Sequence, residues 1–403
     1  MTFKRFVVLL AILGAVVCLP LYGYKVAVKK DYSDFDVYYR TAARVQAGAW
    51  NDVYNFEIDG NCPYRYAPPT LPLFEPMTVL PLAQSRLLWF FLQVGFYGMG
   101  FFLLRKTIRA IRLEQGLKDN SLFILASSFL FVLRFMIDSF TIGQVTGLMF
   151  LGFTISLAAT IARKPLSSVL ALAFPALCKV GPLILLGPTF SFDRKRFKDL
   201  LLSLVMTSAG AFLFTLIWFH DWDRTLFLWR GWLKVLAGDS TFFDASHYGT
   251  QSIKSALMRF SAHGWIVPQV AENAWRSIVA LGTISMSVFW FLRVPQSSRG
   301  MGLFFGLAVF GYLWFMPETF KYSQPFLAIP MAMLLTGPIT RYGRFAIAFG
   351  FATLSLAGLD LVGSTVFFAV QKASIPLLAS LMLGAEVIFQ AVQESAPRRF
   401  HEN

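Results

Sequence analysis

The chain has 403 residues, of which 56% are hydrophobic and only 14% charged, and its formal net charge at pH 7 is +14. Soluble domains usually carry about 25% charged residues, so the composition excludes an ordinary soluble protein and indicates an integral membrane protein. The excess of Lys and Arg is not interleaved with aromatic residues on a basic face, as it is in nucleic-acid-binding proteins. It lies in short connections between apolar runs, and no nucleic-acid partner is expected.

Apolar runs that are long enough to cross a bilayer, which takes about 20 residues, recur along the whole chain. The predicted spans lie near residues 6–24, 86–104, 121–137, 145–162, 166–192, 200–219, 275–292, 301–316, 323–340, 345–368 and 374–392. The first run follows Lys4 and Arg5 like a signal peptide, but it is long and lacks a clear cleavage site, so we predict a retained span. The pattern predicts an all-α, polytopic fold that forms a single transmembrane domain over residues 1–403.

The run 166–192 differs from the others because it is basic at both flanks and contains Pro175, Lys179, Gly181 and Pro182 in its middle. A single crossing would place one basic flank outside, whereas Lys and Arg near span ends remain cytoplasmic. We therefore predict a re-entrant hairpin of two half-length helices, with the broken backbone surrounded by protein or water. Counted as two, it brings the total to about 12 membrane segments.

The basic connections place both termini in the cytoplasm and the long connections 25–85 and 220–274 on the opposite side. We expect a multi-pass protein of the inner (cytoplasmic) membrane whose active site, formed by these two loops, faces the periplasm. In the first loop, residues 35–47 are predicted to form a helix that Ser33 or Asp34 caps and Gly48 ends. Its apolar positions Val37, Ala42 and Val45 are typical of a helix lying against the membrane surface.

The stretch DYSDFDVYY places Asp31, Asp34 and Asp36 directly after the first span. Asp34 and Asp36 differ by two positions on a helix, so they point in different directions and cannot act together on one sugar. One of them is a candidate catalytic group. The alternative is that Asp34 only caps the helix and interacts with its dipole, while Asp31 is a loop charge.

Three cations near the outer face, Lys179, Arg65 and Lys321, are candidates for binding a phosphate through charge-assisted hydrogen bonds. An ionisable side chain at membrane depth costs at least ~2.5 kcal/mol at a helix centre, which favours a functional role for Lys179. For Arg65 and Lys321, snorkelling of the charged group to the interface is an equal alternative.

Polar and aromatic residues near the same face are candidate substrate contacts. They are Gln144 in GQVTG, Gln251 and Ser252 in GTQS, and Tyr38, Tyr39, Tyr64, Tyr66 and Tyr322. The tyrosines could stack on a sugar or line a lipid groove, but aromatic belts at membrane interfaces are an alternative. No Walker-type loop and no His or Cys spacing of a metal site occurs, so neither a cofactor nor a metal is predicted.

Several motifs occur together in one order along residues 30–340. They are SDFDVYYRTAARVQAG, YRYAPPTLPLFEPMTVLPL, LLWFFLQ, IGQVTGLM, LALAFPALCKVGPLILL and YGTQSIKSALMR. In this order they resemble the polyprenyl-phosphate-dependent membrane glycosyltransferases of family 87, in the GT-C superfamily. The chain differs from many members at Thr146 and over residues 319–323, where Lys321 and Tyr322 replace a histidine-containing string.

The resemblance implies a GT-C fold, a catalytic aspartate in the first outer loop, and a polyprenyl-phosphate-hexose donor in the bilayer. The D-F-x-V-Y pattern assigns that aspartate to Asp34, with Asp36 as the alternative. We expect an inverting transfer of a hexose, mannose being the expected sugar, to a lipid or glycan acceptor. A lipid-linked sugar flippase or transporter, or another GT-C transferase of the aminoarabinose or protein-O-mannosyl type, remains an alternative.

Overall fold

The computed structural model describes residues 2–28, 33–55, 57–58, 64–191, 195–238, 247, 249–317, 319–356 and 359–397, and these are almost entirely helical. The α-helices are α1 Phe3–Val28, α2 Ser33–Gln46, α3 Leu82–Glu114, α4 Ser121–Ile142, α5 Thr146–Ile161, α6 Pro165–Cys178, α7 Lys195–Phe219, α8 Trp222–Gly238, α9 Ile253–Ala262, α10 Pro268–Leu292, α11 Ser298–Phe315, α12 Ala328–Leu335, α13 Arg341–Gly350, α14 Leu359–Lys372 and α15 Ile375–Gln393. Helix α14 is broken at Gly363, where φ is 74°.

Shorter helical turns and two strands connect these helices. The 3₁₀ helices are Trp50–Asp52, Pro68–Leu73, Glu75–Val79, Gly181–Ser191 and Lys321–Leu327, and a π-helical turn covers Phe351–Leu356. Strand β1 (Arg293–Pro295) pairs antiparallel with β2 (Ser395–Pro397). Beside this pair, the buried Arg299 donates to the carboxylate of Glu394 at 2.6 Å, which joins the start of α11 to the end of α15.

Among the described residues, 6 helices are long and apolar enough to cross a membrane. They are α1, α3, α4, α10, α15 and the Lys198–Phe219 part of α7. The all-α, polytopic membrane protein predicted from the sequence is therefore supported by the structure. The total of about 12 membrane segments stays a prediction.

Residues 166–191 do not form one continuous helix, which agrees with the predicted break, and the re-entrant course of this segment stays a prediction. Helix α6 ends at Cys178, Lys179 has an extended backbone (φ −150°, ψ 125°), and a 3₁₀ helix starts at Gly181. A Cβ atom at Gly181 would lie 2.3 Å from the Met316 sulfur, so any larger residue here would require the Met316 side chain to move. The fourteen-residue α6 is about 21 Å long, which suits a half-length membrane helix.

Helix α2 lies close to its predicted position, and Gly48 follows it in the left-handed conformation at φ +84°. The prediction that this helix lies against the membrane surface is wrong. Val37 is 7% exposed and Ala42 0% exposed, because the apolar side packs on the 3₁₀ helix Glu75–Val79 and on α3. An amphipathic pattern requires an apolar partner but does not distinguish lipid from protein.

Helix α5 is packed between α3 and α6, and Gly152 permits its close approach to α6. A Cβ atom at Gly152 would lie 2.6 Å from the carbonyl oxygen of Ala171 and 2.8 Å from a ring carbon of Pro175. Because α6 ends at Cys178, directly before Lys179, this contact also positions the broken segment.

We expect Gly152→Ala to lower the free energy of unfolding by about 1–3 kcal/mol, since the added methyl group overpacks a contact with backbone. The measurement is thermal unfolding of the purified protein in detergent. Gly95→Ala on α3 is the matched control, because a Cβ there meets no atom within 4 Å. Equal unfolding temperatures for Gly152→Ala and wild type would contradict a close α5–α6 contact.

Candidate functional site

Asp36 is engaged in a buried ion pair that joins α2 to α3. Arg86 donates from Nε to Oδ1 of Asp36 at 2.8 Å and from Nη2 to Oδ2 at 2.5 Å, and Asp36 is only 1% exposed. Arg40, one turn along α2, approaches the same carboxylate at 3.5 Å. Both carboxylate oxygens of Asp36 are thus committed to arginine.

Asp34 lies half-buried in the first turn of α2 and has a different environment. Its Oδ2 accepts a hydrogen bond from the side-chain amide of Gln144, in the turn between α4 and α5. Gly143 takes the left-handed conformation there (φ 74°), and its carbonyl accepts from Trp89 Nε1 at 2.9 Å. The turn that presents Gln144 to Asp34 is therefore held by α3.

Two tyrosine hydroxyls extend this hydrogen-bond network. Tyr66 donates to Oε1 of Gln144 at 3.2 Å, and the hydroxyls of Tyr38 and Tyr66 lie 2.6 Å apart. Burial, with the negative charge of Asp34 as a smaller cause, raises the pKa of both phenols well above the usual value. Both hydroxyls therefore stay protonated and able to donate at any physiological pH.

The other predicted tyrosines of the first loop have structural roles in the protein interior. Tyr64 is 0% exposed, and its hydroxyl lies 2.5 Å from that of Thr70. Tyr39 donates to the carbonyl of Leu80 at 2.9 Å. Tyr54, which the sequence did not single out, donates to the carbonyl of Tyr66 at 2.8 Å and so holds the backbone of that residue.

Lys179 lies half-buried beside Tyr322, with its ammonium group 5.1 Å from the centre of the Tyr322 ring. An electrostatic interaction with Tyr322 contributes to the raised pKa of both Tyr38 and Tyr66. The three tyrosines therefore lie near one another. The backbone amide of Ala67 donates to the carbonyl of Leu177 at 2.8 Å. This bond brings the end of α6 against the loop that carries Tyr66.

Lys321 occupies a different environment although it is adjacent to Tyr322. Its ammonium group lies 4.3 Å from the centre of the Phe367 ring, and the Arg134 guanidinium lies 5.2 Å from the same ring. Burial lowers the pKa of Lys321 to about 8, with Asp138 acting in the opposite direction. Its positive charge therefore declines as the pH rises through 8, and any phosphate contact it makes would weaken accordingly.

The remaining predicted residues, Arg65, Gln251 and Ser252, lie in two different parts of the chain. Arg65 is half-buried between Tyr64 and Tyr66 in the first loop. Gln251 donates to the side-chain oxygen of Gln371 at 3.0 Å. Ser252 caps α9 and donates to the carbonyl of Pro317 at 2.9 Å.

The pairs at Gln251 and Ser252 attach the second outer loop to neighbouring segments rather than to Asp34. The backbone amide of Gln251 donates to the carbonyl of Thr319 at 2.8 Å, and Thr250 forms a β-bridge with Phe320. These contacts therefore support the segment that carries Tyr322.

Sequence reasoning did not identify Arg86 and Trp89, which hold the site in place. Arg86 supplies the counter-charge of Asp36, and the Trp89 ring stacks on Phe35 with a centroid distance of 5.7 Å. The sequence did contain a signal for Arg86, because a charged residue at the start of an apolar span is costly unless it has a partner. Among the residues that the structure describes, no group of three or more His, Cys, Asp or Glu side chains could hold a metal ion.

A family model described as glycosyltransferase family 87 matches residues 64–317, which is more than half of the chain. The match includes Gln144 and Lys179, whereas Asp34 precedes it and Tyr322 follows it. No curated protein was found to match the chain.

We expect Asp36→Asn to lower the free energy of unfolding by about 3–5 kcal/mol, because it leaves Arg86 buried without its counter-charge. The measurement is equilibrium unfolding in detergent. The double variant Asp36→Leu with Arg86→Met should recover most of the loss, since an apolar pair of similar size replaces both charges. If Asp36→Asn were as stable as wild type, the ion pair would not be what fixes α2 to α3.

Proposed function

Since the chain belongs to glycosyltransferase family 87, we propose that it transfers a hexose, with mannose as the first candidate, from a polyprenyl-phosphate-linked donor to a lipid or glycan acceptor. The observation that carries this proposal is the contrast between two neighbouring aspartates. Asp36 is saturated by Arg86, whereas Asp34 is half-buried and held by the neutral amide of Gln144. Asp34 is thus the more accessible of the two carboxylates, and a general base must lie within reach of the proton that it abstracts.

In the proposed reaction Asp34 accepts the proton of the acceptor hydroxyl as that oxygen attacks the anomeric carbon of the sugar. The bond between the anomeric carbon and the phosphate oxygen breaks, and its electron pair leaves with the polyprenyl phosphate. The acceptor approaches opposite to the leaving group, so the configuration at the anomeric carbon inverts. Phosphate is a good leaving group, and the step is balanced by one proton transfer.

Charge develops on the departing phosphate, and Lys179 is the proposed group that stabilises it. Its ammonium is half-buried against Tyr322, where hydrogen bonds to an oxyanion are stronger than in water. Arg65 and Lys321 are proposed as further phosphate contacts. For Lys321 this requires the side chain to leave Phe367, against which it now packs.

We propose that the tyrosines position the base and do not themselves exchange protons. Tyr38 and Tyr66 remain neutral and orient Gln144, whose amide holds one oxygen of Asp34. Gln251 and Ser252 are proposed to support the Tyr322 segment from the second outer loop. We further propose that this face of the protein lies on the periplasmic side of the inner membrane, opposite to the side on which the basic connections lie.

We expect Asp34→Asn to reduce the transfer rate by about 10²–10⁴-fold, the usual contribution of a general base. The assay uses purified protein in liposomes with a polyprenyl-phosphate-hexose and candidate acceptors. Asparagine caps helices as well as aspartate does, so the unfolding temperature should not change. This separates a catalytic role from a capping role.

The matched control for Asp34→Asn is Asp223→Asn, which changes an exposed aspartate that also lies in the first turn of a helix. It should transfer sugar at the wild-type rate. Transfer at the wild-type rate by Asp34→Asn itself would overturn the assignment of the base to Asp34.

We expect Lys179→Met to lower kcat by about 10²–10³-fold, the range for removing one donor that stabilises transition-state charge. Lys179→Arg should retain part of the activity because it preserves the positive charge. Lys372→Met, which removes an exposed lysine at the end of α14, serves as the control and should be neutral. A Lys179→Met variant with unchanged kcat would show that this lysine does not contact the leaving phosphate.

A further inference from the structure

The end of the helical bundle that is remote from Asp34 contains a second site. Asp34 follows the end of α1, Arg86 lies at the start of α3, and Gln144 follows the end of α4. The start of α1, the end of α3 and the start of α4 therefore meet at the opposite end. The shortest of these helices, α4, is about 33 Å long at 1.5 Å per residue, so the two ends are separated by roughly the thickness of the hydrocarbon core.

An apolar cavity of about 370 Å³ lies between α1, α3 and α4. Its lining is almost free of polar surface and includes Ala15, Leu19, Gly98, Phe101, Ala126 and Phe129. Along α4 the lining extends from Leu122 to Phe140, which is about 27 Å. A hydrocarbon chain placed in it would run along the membrane normal, as the chains of bilayer lipids do.

A second pocket of about 520 Å³ adjoins the apolar cavity at the end remote from Asp34. The two share Val8, Ile12 and Leu122 in their linings, so they are adjacent. The second pocket has a mixed lining, in which Lys4, Arg5 and Arg105 lie together with Asp119, Asn120 and Ser121.

Three cations dominate the charge of this second pocket. Its one acidic lining residue, Asp119, is already paired with Arg109 at 3.1 Å. The backbone amide of Ser121 also donates to Asp119 at 2.9 Å. Arg105 also interacts electrostatically with Asp119, but the three basic residues outnumber this one acidic residue, so the lining carries a net positive charge.

We propose that the two pockets together bind an anionic phospholipid, with one acyl chain in the apolar cavity and the phosphate of the head group among Lys4, Arg5 and Arg105. Basic pockets between membrane helices bind anionic head groups in this way. The lipid is not the sugar donor, because its phosphate lies at the opposite end of the bundle from Asp34. In the predicted topology the site belongs to the cytoplasmic leaflet.

The test compares phosphatidylglycerol with phosphatidylcholine of identical acyl chains, using native mass spectrometry of the full-length protein released from detergent. Wild type should retain phosphatidylglycerol preferentially. The triple variant Lys4→Gln, Arg5→Gln, Arg105→Gln should lose this preference by about tenfold or more, since each basic residue contributes to head-group attraction. Gly98→Leu should reduce retention of both lipids at this site, because it fills the cavity.

Each test variant has a control variant that carries the same kind of substitution at positions outside the two pockets. The triple variant Lys106→Gln, Lys118→Gln, Lys164→Gln removes three exposed cations that do not line the pocket. Gly95→Leu adds the same side chain to α3 outside the cavity, and a Cβ atom at Gly95, as at Gly98, meets no atom within 4 Å. Both controls should retain phosphatidylglycerol as wild type does.

Three results would overturn the proposal. They are equal retention of the two lipids by wild type, equal loss in the control and test triple variants, and displacement of phosphatidylglycerol by polyprenyl phosphate at equal concentration. If the test triple variant failed to fold, Gly98→Leu against Gly95→Leu would decide alone. Sugar transfer is not part of the readout, so the outcome is independent of the proposed reaction.

Discussion

The buried ion pair between Asp36 and Arg86 is the contact on which the arrangement of α2 and of the residues around Asp34 depends. An ion pair in a low-dielectric interior is costly to separate, because either partner alone would remain charged and unsolvated. The ion pair therefore keeps α2 packed against α3 and fixes which face of α2 points toward α3. Successive helical residues turn by about 100°, so Asp34, two positions earlier, faces away from Arg86 and toward the turn at Gln144. Asp36 anchors the helix, and Asp34 is half-buried and accepts a hydrogen bond from Gln144.

Around that anchor, segments far apart in the chain meet at the hydroxyls of Tyr38 and Tyr66. The α4–α5 turn contributes Gln144, and the broken helix contributes Lys179 beside Tyr322. Gly152 and Gly181 allow the close contacts that this convergence needs, since a side chain at either would collide with its neighbour. The outcome is a carboxylate and an ammonium group associated with one group of tyrosines. In the proposed reaction, the carboxylate is the base and the ammonium group stabilises the departing phosphate.

Much of this could be predicted from the sequence because it depends on local chemistry. The acidic first turn and the glycine at position 48 predicted α2, and the Pro and Gly residues around Lys179 predicted the interrupted helix. The apolar face of α2 was assigned to lipid, although it is buried in protein. Lipid and protein interiors are equally apolar, so the pattern of side chains does not separate them. The spacing of residues in the sequence also did not show that Lys179 and Lys321 would pack against different aromatic rings.

By itself the sequence determined that this is a helical membrane protein, where several of its helices begin and break, and, through the order of its motifs, its resemblance to family 87. These properties follow from hydropathy and from the backbone preferences of Pro, Gly and capping residues, which act over a few positions. Only the tertiary structure decided the partners of the two aspartates. Arg86 is 50 positions from Asp36, and Gln144 is 110 positions from Asp34. Contacts at such separations are set by how the helices pack, because no local preference of the chain links residues that far apart.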